Sequence, residues 1–120
     1  MAVAESDRNR IARNAVSGHV AGLSIASGQG NVAVRNRTFD NEGDGILVAA
    51  GVPRTALYAN RATGNGDDGI DVESPSSWLV RNQVARNGDL GIEAVRGVRG
   101  WGNQAAGNGN TAQCLNVRCH

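Results

Sequence analysis

The sequence has no lysine, only four aromatic residues and two prolines among its 120 residues. No apolar run approaches the roughly 20 residues of a membrane-spanning helix, so no membrane partner is expected. All 12 basic residues are arginine, and 11 acids leave a net charge of +1. That balance lacks the basic stripe that nucleic-acid binding uses, so no nucleic-acid partner is expected either. The first ten residues, MAVAESDRNR, contain no apolar h-region, and no signal peptide is read there. With so few rings, the core of a single domain must be built from Val, Ile, Leu and Ala, within an apolar content of 40%.

Cysteine is scarce as well: Cys114 and Cys119 lie in QCLNVRCH at the C-terminus. One such pair and a terminal histidine supply too few ligands for tetrahedral zinc. A local disulfide closing the C-terminus is the reading adopted, and it implies an oxidising compartment. Two reduced thiols are the alternative.

What is plentiful is glycine, at 17 residues, and asparagine in a repeating pattern. Asparagines five residues apart recur in NRIARN, NRTFDN, NRATGN, NQVARN and NQAAGN. Their first members, Asn9, Asn36, Asn60, Asn82 and Asn103, advance by 27, 24, 22 and 21 residues. A Gly-Ile strand follows in GDGILV, DDGIDV and DLGIEA. In the first repeat the matching AGLSIA lies later, and four inserted residues, with His19 among them, are read there.

Self-similarity at this period is the signature of a solenoid. Each repeat holds three short alternating segments, too short and too glycine-broken for helices. The Gly-Ile strand should bury Leu23/Ile25, Ile46/Val48, Ile70/Val72 and Ile92/Ala94. A second strand is assigned the inward column Val32/Val34, Ala56/Tyr58, Trp78/Val80 and Trp101. A third is assigned Ile11, Thr38, Ala62, Val84 and Ala105. The fold class expected is all-β, a right-handed parallel β-helix of about four to five rungs. Asparagine tolerates the left-handed backbone that a sharp bend needs, and Asn36, Asn60, Asn82 and Asn103 should stack as a hydrogen-bonded ladder.

The division expected is an uncapped lead-in over 1–8, β-helix repeats over 9–110 and a C-terminal cap over 111–120. Trp101, Leu115, Val117 and the cysteine pair are expected to cover the last rung, with a sugar-stacking platform as the alternative for Trp101. Glu5 and Asp7 stand where later rungs are apolar, so further N-terminal rungs or a capping partner are expected upstream.

The densest acidic stretch, TGNGDDGIDVES, is one copy of this repeat, which argues against a dedicated catalytic motif. Asp71 and Glu73 point outward on one rung and Glu93 on the next. Asp71 and Glu93 should stack at about one strand spacing, ~4.8 Å. Carboxylates this close repel unless one is protonated or a cation or arginine sits between them. A hard cation such as Ca2+ bound by Asp71 and Glu93 is one reading; a carboxyl pair spaced for glycoside hydrolysis is another. A solvated acidic face is the third.

Through NRATGNGDDGIDV and NQVARNGDLGIEA the chain resembles the right-handed parallel β-helix repeats of the pectate-lyase-like superfamily. The resemblance implies a groove beside the Gly-Ile strand that carries substrate, with Asp71, Glu73, Glu93 and Arg96 as candidate binding residues. It also implies an acidic polysaccharide as candidate partner, Ca2+ as candidate cofactor and an extracellular location. The family's catalytic signatures are incomplete. GDDGID resembles the paired-Asp motif of polygalacturonases and SGHV their Gly-His motif, but His19 precedes Asp67 and Asp68, the reverse order, and no RIK follows. The Asp-Pro-His-Asp motif of alginate epimerases has no counterpart. Arg54, Arg96 and Arg99 are geometric candidates for a lyase base. Arg10, Arg37 and Arg61 are placed in one outward column that could bind an anion. Two functions stay open: the C-terminal part of a secreted polysaccharide-binding or polysaccharide-processing protein, or a non-catalytic structural or surface module.

Overall fold

The computed structural model describes residues 1–3 and 7–120. Among them every regular element is a strand of two or three residues, and the strands stack into three parallel sheets. The first sheet contains β1 (Ala2–Val3), β4 (Leu23–Ile25), β7 (Ile46–Val48), β10 (Ile70–Val72), β13 (Ile92–Ala94) and β16 (Cys114–Leu115). The second contains β2 (Arg10–Ala12), β5 (Val32–Val34), β8 (Ala56–Tyr58), β11 (Trp78–Val80) and β14 (Arg99–Trp101). The third contains β3 (Ala15–Val16), β6 (Arg37–Phe39), β9 (Arg61–Thr63), β12 (Gln83–Ala85) and β15 (Gln104–Ala106). The chain is a β-solenoid of about five turns, and Glu5 of the lead-in lies outside the described residues.

The core is a set of aliphatic stacks. Leu23, Ile46, Ile70 and Ile92 lie over one another from the first sheet, fully buried, with Ile25, Val48, Val72 and Ala94 beside them. Burying such side chains contributes roughly 1.5–3 kcal/mol each.

Two buried asparagine ladders hold the bends. Between the second and third sheets runs Asn14–Asn36–Asn60–Asn82–Asn103. Asn60 is typical: its backbone N–H and its side-chain Nδ2 both donate to Asn82 Oδ1, at 2.9 and 3.1 Å, and Nδ2 also donates to the Ala33 carbonyl at 2.9 Å. Backbone groups that a bend removes from the sheet ladders are satisfied in this way. Between the third and first sheets runs Asn41–Asn65–Asn87–Asn108, closed below by Gln113 Oε1. This second ladder dictates the Gly-Ile motif. A Cβ on Gly45, Gly69 or Gly91 would lie 2.6, 2.7 or 2.8 Å from the Nδ2 of Asn65, Asn87 or Asn108.

Several expectations change. The ladder asparagines do not take the left-handed conformation; the residue before each does, as Arg35, Ala59 and Arg81 at φ 56°, 55° and 54°. The bend needs the asparagine side chain aimed along the stack, so its neighbour absorbs the reversal. Asn14, rather than Asn9, stands over Asn36, while Asn9 pairs with Asn31. The five-residue spacing also fits Asn31 and Asn36, so the motif has two phases and spacing alone cannot choose between them. There is accordingly no four-residue insertion. His19 occupies the position above Asn41, its N–H donating to Asn41 Oδ1 at 3.1 Å. Ile11 is buried in β2 opposite Ala33, and Val16 takes the inward place in β3.

The second strand is turned over. Ala33, Leu57 and Leu79 are fully buried, while Val32 and Tyr58 are exposed and Trp78 and Val80 are half-buried on the outside. Three consecutive apolar residues carry no alternation, and a one-residue slip moves every side chain to the opposite face. Trp101 is therefore not a plug; it is 56% exposed, and Leu115 is exposed too. Arg10 belongs to the second sheet, whereas Arg37 and Arg61 pair in the third, so these three form no single column.

The lower end is covered by Val117, Cys114 and Cys119, which pack against the core. Cys114 and Cys119 are joined as a disulfide. The tail then returns along the open edge, with the Ala105 N–H donating to the His120 carbonyl and the His120 N–H to the Asn103 carbonyl, both at 2.9 Å.

Two substitutions should separate ladder from bend in urea unfolding. Asn60→Ala leaves several buried groups without partners and should lower stability by about 2–4 kcal/mol. Ala59→Gly removes the left-handed penalty of an L-residue and should raise stability by up to about 1 kcal/mol.

Candidate functional site

The acidic residues gather where the bend from the third sheet enters β10. The bend repeats on each turn, so residues from successive turns stack: Asp44, Asp68 and Leu90 form one column. The Asp68 N–H donates to Asp44 Oδ1 at 3.0 Å, and the Leu90 N–H to Asp68 Oδ1 at 2.9 Å. These carboxylates extend the ladder principle to a second pair of columns. Beside them, Asn110 Nδ2 donates to Asp89 Oδ1 at 3.1 Å. Asp71 projects from β10 with Leu47 and Glu93 as its neighbours in register.

One carboxylate oxygen from each of Asp44, Asp68 and Asp71 lies within 4.8 Å of the others. Asp67, Asp68 and Asp89 form a second such group, sharing Asp68.

Asp68 is 1% exposed, and its carboxyl is pushed up to about 8. Burial is the main cause, followed by a hydrogen bond with Glu93; the Leu90 N–H opposes both, and the charges of Asp67 and Glu93 add to the rise. Asp71 is pushed up to about 7, by burial first and then by the charges of Asp44, Glu73, Glu93 and Asp67. Asp44 is also raised by burial, against the hydrogen bond from the Asp68 N–H. The charges that raise Asp71 most are all those of other acids. Near neutral pH such a cluster either retains protons or takes up a cation. Oxygen ligands of this kind suit a hard divalent ion, and a carboxyl titrating near 7 suits proton transfer.

Of the residues singled out from the sequence, Asp71 and Glu93 are brought together on adjacent turns. Glu73 lies exposed just beyond β10 and acts on Asp71 through its charge. Arg96 is exposed in the turn between β13 and β14 and is not among the groups acting on the cluster. His19 is exposed at the head of the second ladder. Sequence reasoning passed over Asp44 and treated Asp68 only as part of a motif. The signal was available: Asp-Gly-Ile occurs at 44–46 and again at 68–70, which places the two aspartates in one column.

The chain belongs to the right-handed β-helix family: the model of the right handed beta helix region matches residues 1–117. Its fold is similar to that of the periplasmic alginate epimerase AlgG, with a TM-score of 0.72 and 19% identity over 96% of this chain. The match spans 33% of the epimerase chain, so this chain corresponds to about a third of that protein's length. No curated protein matches the sequence.

The raised carboxyls fix the sign of a pH dependence. Unfolded, these aspartates ionise near 3.9; folded, Asp71 and Asp68 hold their protons until about 7 and 8. The folded state therefore binds more protons between those limits, and stability falls as pH rises from about 4 to 8. Thermal unfolding at low calcium should show a Tm lower by roughly 5 °C or more at pH 8 than at pH 5. Asp71→Asn should shrink that difference.

Proposed function

We propose that this chain is a polysaccharide-contacting segment of a β-helix protein that works in an oxidising compartment outside the cytoplasm. The acidic face of the first sheet is the contact surface, and a calcium ion held by Asp71 with Asp44 and Asp68, and with Glu93 beside them, bridges it to an acidic sugar chain. The observation that carries this reading is the convergence of the Asp44, Asp68 and Asp71 oxygens within 4.8 Å of one another. Without a counter-ion that face would repel an acidic polymer; with one, the same carboxylates become ligands. The fold likeness to an enzyme acting on alginate, and the Cys114–Cys119 disulfide, support the substrate class and the compartment.

A non-catalytic role at this face is the second reading. It is favoured by one observation: the charges that act most on Asp44, Asp68 and Asp71 are those of other acids, an arrangement that holds protons or a cation and pairs no acid with a base.

Calcium titration by calorimetry tests the proposal, followed by binding to polygalacturonate with and without calcium. The wild type should bind calcium with a dissociation constant on the order of 10⁻⁴–10⁻³ M. At ~10 mM calcium this adds about 1–3 kcal/mol of stability. Asp71→Asn/Glu93→Gln should abolish both the heat and the calcium-dependent polymer binding. Equal behaviour of wild type and double variant would sink the proposal; release of shortened or epimerised uronate would overturn the non-catalytic reading.

A further inference from the structure

We propose that the outer face of the second sheet is a separate polysaccharide contact, one that takes an anionic sugar chain by ring stacking and arginine–carboxylate pairing without a metal. The proposal rests on the polysaccharide reading above but on neither calcium nor the acidic face.

The reversed orientation of the second strand creates this surface. Tyr58, Val80 and Trp101 are register partners from β8 to β14 and form one outward column, with Val34 buried above Tyr58. Tyr58 is 37% and Trp101 56% exposed, in a chain with only four aromatic residues. The two rings sit two strands apart, about 9.6 Å at ~4.8 Å per strand, a separation comparable with two sugar units of an extended chain. Amphipathic rings of this kind offer an apolar face to a sugar ring at little entropic cost.

The second outward column begins and ends with arginine, at Arg10 and Arg99. Arg81 Nη1 donates to the Tyr58 hydroxyl at 3.3 Å, which puts a guanidinium beside the aromatic column. Above it, Arg8 and Arg35 wall an open groove of about 390 Å3 floored by Val32, Val34 and Tyr58. None of the outward positions on these five strands is an acid.

The guanidinium forks pair with carboxylates in two-point fashion. Apolar rings at intervals, with arginine between and around them and no acid on the strands, match a polymer that alternates flat apolar ring faces with carboxylates. A second copy of this chain offers charge complementarity through its acidic face but presents no ring for Tyr58 and Trp101 to stack upon.

The test is calorimetric binding of polygalacturonate to the full chain in EDTA, with dextran as the uncharged control and sedimentation to record the oligomeric state. The wild type should bind polygalacturonate and not dextran. Trp101→Ala should weaken binding roughly 10-fold or more, as truncation of an anchoring aromatic does, and Arg99→Gln should weaken it severalfold. Gln83→Ala, on the outer face of the third sheet, should leave it unchanged. Trp101 is exposed, so unaltered thermal unfolding is expected to accompany the loss. Wild-type binding in both Trp101→Ala and Tyr58→Ala, or no binding by wild type in EDTA, would overturn the inference. A dimer that Trp101→Ala dissociates would overturn it too, making the face an interface between copies. Loss of calcium-dependent binding alone, with EDTA-resistant binding retained, contradicts the acidic-face proposal and leaves this one standing.

Discussion

The buried amide ladders are the constraint on which the rest of the coil depends. Strands of three residues give each turn few backbone bonds, and the bends between them leave further N–H and C=O groups away from water. Asparagine is the residue that closes this account. Its Oδ1 accepts from the turn above, and its Nδ2 donates both to the next Oδ1 and to a carbonyl of the preceding turn, as Asn82 does with Asn103 and Leu57. Aspartate lacks the two side-chain donors. The ladders also set their surroundings: the left-handed residue before each asparagine, the glycine beside the second ladder's amides, and the depth to which Ile46, Ile70 and Ile92 sink.

A scaffold so fully determined inside leaves the outward positions free to vary from sheet to sheet. The first sheet gathers Asp71 and Glu93, with Asp44 and Asp68 in the bend leading into it, and raises the proton affinity of the aspartates by burial. The second sheet carries aromatic residues and arginine with no acid on its strands. The near-neutral net charge conceals this division. Two surfaces of opposite character on one coil are what the two proposed polysaccharide contacts call for, one tuned by cation or pH and the other by neither.

How much of this was legible in the sequence depended on the residue type. The asparagine and Gly-Ile spacings identify the solenoid and the inward side of β4, β7, β10 and β13, because glycine and asparagine mark positions where no other side chain fits. The second strand was misread because VAV, ALY and WLV offer three apolar residues in a row, and only the ladder geometry decides that Ala33, Leu57 and Leu79 face inward. The same reversal took Trp101 from the cap to the surface. The phase of the first turn was hidden because the asparagine spacing fits twice, at Asn9/Asn14 and at Asn31/Asn36. In the site, Asp71 and Glu93 followed from strand alternation, whereas Asp44 required recognising that the residue two before each isoleucine forms a column. The burial that shifts these carboxyls exists only once the turns are stacked.

Native-state hydrogen exchange at the backbone N–H groups of Asn60 and Asn65 tests the central claim most directly. Both donate to a ladder Oδ1 and not to a sheet carbonyl, at 2.9 and 3.0 Å. If the ladders hold the coil together, these amides open only with the whole structure and exchange as slowly as the core amide of Ile70. Exchange at the rate of the exposed turn amides, with Ile70 still protected, would show that the sheets stand without the ladders and would contradict the account.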